Sequence, residues 1–269
     1  MRKAVILFLL VNSSFLIPNS SFAADSSTSF LPAEPLFKSL LADPREPRAA
    51  LTRTLGKRQW EGAIGRTIEL TQWGRGVRKA WGITGAAYAW LDQRGTSFPL
   101  RDSDWWFGTY LARKAGVASQ KLEYTHVSSH LGDALFNQQG RIVYSREMFR
   151  LLLSAERKAD RRFYLGAGYW IKTIPREKPW FFQVGMSNSL GLGRALGREV
   201  SLDTGYDLKY KNEADGTLNS SVILGFRLHE LGDVLHGVRL ALGYFNGRSE
   251  YGQFFREHDR RWTLGLQFD

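Results

Sequence analysis

The chain contains no cysteine. This excludes a disulfide framework, thiolate metal sites and thiol nucleophiles. It has only eight prolines in 269 residues and no G-X-Y period, so it is not collagenous. After the first two dozen residues no apolar run approaches the roughly 18 residues that a spanning helix needs; the stretch from Gly85 to Leu91 is among the longest. With 23% charged and 13% aromatic residues, it is not disordered. Glycine is abundant instead: 27 residues, about 10% against a typical ~7%.

The N-terminus reads as an address. Arg2 and Lys3 precede an apolar stretch from Ala4 to Val11, extended by Phe15, Leu16 and Ile17. Small residues in Ser21-Phe22-Ala23 predict signal-peptide cleavage after Ala23, giving a signal peptide over residues 1–23. Without Arg2 and Lys3 the formal net charge falls from +11 to +9. An exported chain without disulfides fits a bacterial envelope.

The remaining periodicity is two. Leu202, Thr204, Tyr206, Leu208 and Tyr210 fall on one face, and Asp203, Gly205, Asp207 and Lys209 on the other. A strand separates these sets; a helix mixes them. The pattern recurs at 149–156, 163–171, 221–228, 238–245 and 261–268. The second face repeatedly carries glycine: Gly166, Gly168, Gly185, Gly205, Gly225, Gly243 and Gly265. A soluble sandwich or lipocalin-like barrel would place Lys, Glu and Thr there. A membrane barrel turns bulky residues to lipid and packs its interior closely. The nine tryptophans fall near predicted strand ends, where two interfacial girdles are expected.

About twelve strands are predicted, at 48–54, 61–73, 80–91, 105–114, 118–130, 144–156, 161–172, 180–188, 199–210, 220–228, 237–246 and 261–268. The fold class is all-β: one transmembrane antiparallel up-and-down barrel over residues 48–269. Long connections at 92–104, 131–143 and 247–260 face outward; short ones and both termini face the periplasm. Residues 24–47 read as a Pro-rich periplasmic entry segment that tucks against or into the barrel end, with a low-complexity tail as the alternative for Asp25 to Ser29; Pro32, Pro35, Pro44 and Pro47 exclude long regular structure. The closing Leu266-Gln267-Phe268-Asp269 resembles the signal read by barrel-assembly machinery, with one residue beyond the usual terminal aromatic.

The run from Pro35 to Pro47, with Leu41-Ala42-Asp43-Pro44-Arg45-Glu46-Pro47 at its end, is followed by Ser128-Ser129-His130-Leu131-Gly132-Asp133 and Tyr144-Ser145-Arg146-Glu147. Together they resemble bacterial domain-of-unknown-function family 1207. The resemblance implies an exported, outer-membrane-like β-barrel and brings no established reaction.

One cluster carries candidate chemistry: His126, Ser128, His130 and Asp133. On a strand, His126, Ser128 and His130 share a face. A hydroxyl beside an imidazole is a minimal nucleophile–base pair that needs a third group to orient the base. The His-x-Ser spacing resembles outer membrane phospholipase A, which implies a lipid esterase. In that family Asn-Gly follows, and an Asn on the next strand orients the His. Here Ser129 and His130 follow, and the nearest counterpart on the next strand is Ser145. The alternative is structural: a polar cluster at the rim holding a loop. Two His and one Asp define no metal site, and no residues specify a cofactor. Dense arginines (Arg141, Arg146, Arg150, Arg157, Arg161 and Arg162) suit lipopolysaccharide phosphates or an anionic lumen. They also suit a lumen ladder with Glu147, Glu156, Asp160 and Asp259. Outer-membrane lipids are therefore the expected partners, and nucleic acid is not. The functions expected are a narrow pore or ligand-transport barrel, or a structural envelope barrel. The alternative is an outer-leaflet lipid hydrolase.

Overall fold

The computed structural model describes residues 28–135, 141–157, 161–231 and 237–268; the signal-peptide expectation lies outside them. The two-residue strand β1 (Ser29–Phe30) pairs with the end of β3. The barrel itself is β2 (Ala49–Thr54), β3 (Gln59–Trp73), β4 (Val77–Asp92), β5 (Leu100–Ala115), β6 (Ala118–Leu131), β7 (Tyr144–Arg157), β8 (Arg161–Ile174), β9 (Trp180–Ala195), β10 (Arg198–Lys211), β11 (Thr217–His229), β12 (Gly237–Arg248) and β13 (His258–Phe268). Every neighbour pair is antiparallel, and β13 pairs with β2, closing twelve strands into a barrel. Closure leaves the wall no free edge except where β2, six residues long, covers only part of β3.

Side-chain parity decides what meets lipid. Ile64, Phe107, Leu165, Phe182, Phe226 and Leu240 are all exposed, Ile64 at 79%. Their neighbours along the chain point inward and are buried or half-buried. Close packing explains the inward glycines: a Cβ on Gly168 would lie 1.9 Å from the Phe181 ring. Of the tryptophans, Trp81, Trp105 and Trp262 are exposed on the outer face. Trp90, Trp106 and Trp170 correct the girdle expectation. They share the inward parity, and Trp90 stacks on Tyr251 at 4.9 Å.

The connections at 55–58, 93–99, 175–179, 212–216 and 249–257 and the residues 132–135 after β6 lie at one end. The tight turns at 116–117 and 196–197 lie at the other, with both ends of the barrel sequence.

The lumen is not empty. Leu36, Phe37 and Leu40 pack among Ala80, Tyr110, Ala112, Leu152 and Tyr164. Higher up, Asp43, Arg45 and Glu46 are buried. From the opposite mouth, the 249–257 loop folds inward. Its Tyr251 and Phe254 join Ala63, Ala86 and Tyr88. Residues 35–48 and this loop meet at Arg45, whose guanidinium lies 4.5 Å from the Tyr88 ring centre and 4.1 Å from that of Tyr251. A remaining cavity beside β2, β12 and β13 holds about 90 Å³, room for a few waters.

Candidate functional site

The predicted cluster sits on β6, near the end that carries the long loops. Along this strand Ser119, Lys121, Glu123, Thr125, Val127 and Ser129 are buried in the lumen. Parity therefore turns Tyr124, His126, Ser128 and His130 outward, onto the lipid-facing surface.

Strand register supplies their neighbours. On the β5 side, Phe107 stands opposite His126 and Trp105 opposite Ser128. These two rings are exposed and stack at 6.4 Å between centres. On the β7 side, Glu147 stands opposite His126 and Ser145 opposite Ser128. His126 Nδ1 and Glu147 Oε1 are 2.9 Å apart. A carboxylate only accepts, so Nδ1 carries the proton of this hydrogen bond. The Tyr124 hydroxyl also donates to Glu147, through Oε2. The acid is thus gripped from one strand by two residues one period apart.

Glu147 is the residue that reading the sequence placed wrongly. It was expected in the lumen ladder, but Arg146, Met148 and Arg150 take the inward positions and leave Glu147 outward. Two other ladder residues do point inward: Glu156 pairs with Lys38 and Lys114, and Asp259 with Arg261. Asp160 lies outside the described residues.

The structure brings together only part of the predicted set. His126 and Ser128 share the outward face with Glu147, two residues along a strand spanning about 6.7 Å. His130 is exposed beyond them, opposite Ser103. Asp133 opens a short 3-10 turn in the loop, is exposed, and stands apart from the His126–Glu147 pair. Ser129 points the other way, donating to buried Asp102 at 3.1 Å and receiving the Gln253 amide at 3.1 Å. It anchors the inward-folded loop.

Such an arrangement suits general-base activation of a hydroxyl at a lipid–water boundary: an imidazole fixed in one tautomer, with a serine next along its face and aromatic rings beside both. Among the described residues, no group of three or more His, Asp or Glu side chains could hold a metal ion.

Known proteins place the fold. The structure is similar to outer membrane phospholipase A from Escherichia coli, with TM-scores of 0.56 and 0.52 against two structures at 13% and 14% identity. The first comparison covers 85% of this chain and 92% of that one. A KdgM porin aligns at a TM-score of 0.47 and 11% identity over 83% of this chain and 98% of its own. No curated protein matches the sequence. The barrel is thus of the outer-membrane type. The family profile described as "Protein of unknown function (DUF1207)" matches residues 20–269, and the chain belongs to that family.

Proposed function

We propose that this is an outer-membrane enzyme that hydrolyses acyl esters of outer-leaflet lipid, with Ser128 as nucleophile, His126 as base and Glu147 as the orienting acid. The observation that carries the reading is the 2.9 Å contact between His126 and Glu147 on the outward face. A titratable pair on a lipid-facing surface is costly and needs a reason.

Trp105 beside Ser128 suits the membrane interface, where an ester linkage lies. Below it, exposed Phe107, Phe149 and Leu111 offer an apolar bed for an acyl chain. In the first step Ser128 Oγ attacks the ester carbonyl and its proton passes to His126 Nε2. The carbonyl–alkoxide bond then breaks, and the alkoxide takes that proton. Water repeats the sequence on the acyl-serine and releases the fatty acid. Glu147 holds the ring and stabilises the imidazolium that forms.

The partners in this reading are phospholipid or lipopolysaccharide, with delivery by the barrel-assembly machinery acting on the alternating closing strand. Acyl release from phospholipid and from lipid A in mixed micelles tests it. Wild-type protein releases fatty acid; Ser128→Ala and His126→Ala do not. Undiminished release by both variants rejects the assignment.

A further inference from the structure

The lumen holds a second constellation, independent of the outward one. Asp43 is fully buried, and four donors converge on its carboxylate. Arg150 Nη1 and Gln183 Nε2 donate to Oδ2 at 3.1 and 2.9 Å. Lys209 Nζ and the Arg45 amide donate to Oδ1 at 2.9 and 3.0 Å. Three of these donors come from three different wall strands, β7, β9 and β10; only the Arg45 amide belongs to Asp43's own segment.

The wall around this point has more cations than anions. Lys121, Arg150, Arg162 and Lys209 are all buried there, with Glu123, Asp207 and, beside Arg162, Glu156 as wall carboxylates. Glu123 takes Arg150 and Lys121. Asp207 is engaged by the Tyr164 hydroxyl and Gln183. Asp43 therefore supplies negative charge that the wall itself lacks.

A purely structural stopper needs no such set. Buried ion pairs about break even against apolar packing, and the lower part of the segment is already packed by Leu36, Phe37 and Leu40. Donors arranged like these on two carboxylate oxygens form an anion-recognition site. Here the carboxylate is tethered to the chain and blocks the lumen.

We propose that Arg150, Gln183 and Lys209 form a binding site for the carboxylate of a solute, which Asp43 fills as a tethered stand-in. Displacing Asp43 and its segment opens a passage that favours anions over cations. Ser128 has no part in it.

Planar-bilayer recordings test this on full-length protein, with the folded fraction selected by heat-modifiable mobility. Wild type is expected to be closed. Asp43→Asn is expected to conduct, with a reversal potential shifted toward the chloride side in a KCl gradient. Acetate is expected to reduce that chloride current. Adding Arg150→Gln is expected to shrink both the shift and the acetate effect. A second variant lacking residues 31–47 guards against a latch that holds through other contacts; it too is expected to conduct with anion preference. Open wild-type channels, a silent folded Asp43→Asn, a silent folded deletion, or cation preference in either variant would each overturn the proposal.

Discussion

The two charged clusters of this barrel lie on opposite sides of one wall. Inside, Asp43 meets cations on two strands and an amide on a third, and has no exposed surface. Outside, Glu147 meets one imidazole and one phenol at the lipid boundary. The inner cluster is saturated: each Asp43 oxygen has two donors. The outer one is open at one position, Nε2 of His126, with Ser128 next along the strand. The inner cluster holds the N-terminal segment against the wall; the outer one shares its face with Ser128. Strand parity, with Arg150 inward and Glu147 outward on β7, separates the two.

The largest expected effect sharpens the outer half of this contrast. Glu147→Gln removes the carboxylate that fixes the His126 tautomer, and hydrolysis should fall by about 10⁴, the scale of losing an orienting acid. Glu147→Asp should recover part of it. A loss below tenfold in initial-rate assays would remove Glu147 from the mechanism.

Next comes the inner half. Asp43→Asn leaves Arg150 and Lys209 without their shared counterion, a change that costs about 3–5 kcal/mol for a broken buried pair. The chain should stay folded but unfold at lower urea concentration. Unchanged urea midpoints would show that the inner cluster contributes nothing to closure.

Smaller still is the packing of the glycine face. Gly168→Ala puts a methyl into the Phe181 ring and should destabilise by about 1–3 kcal/mol, the usual cost of overpacking. The double variant Gly168→Ala/Phe181→Leu should recover most of this loss.

Acid gives the most graded response. Glu250 is a buried loop residue: burial raises its pKa, but Lys211 and Lys209 overcome this and hold it at about 2. Asp43 shifts the same way. Burial opposes ionisation there, and Lys209 and Arg150 keep the carboxyl well below the ordinary range. Both folded values lie below the unfolded ones, near 4. Their stabilisation is therefore fully present above about pH 4 and is lost as pH falls toward 2. Urea midpoints should decline below about pH 4 as these two carboxyls protonate, and Asp43→Asn/Glu250→Gln should flatten that decline; a decline undiminished in the double variant would contradict the assignment.

Much of this architecture was legible in the alternation of residues. Strands such as β10 and β12 declare themselves because one face is uniformly bulky. Strand β2 was the faintest, since six residues carry only three outward positions. The His126–Ser128 face was readable from spacing alone. Its acid was not. The β6–β7 register comes from pairing between strands and is not readable locally; it places Glu147, not only Ser145, beside the pair. The inward tryptophans hid for a related reason: nearness to a strand end says nothing about parity. That residues 35–48 tuck into the barrel end was legible from their prolines and apolar stretch, but their contacts were not, because the partners are single residues scattered over the barrel strands.

The account rests most heavily on the outward serine. The direct measurement is fatty-acid release by detergent-solubilised wild type and Ser128→Ala, on the same folded barrel and the same phospholipid and lipid A micelles. The account predicts release by wild type and a drop of at least about 10³-fold in the variant. Equal rates for the two proteins, or no release by folded wild type from either lipid, would contradict it.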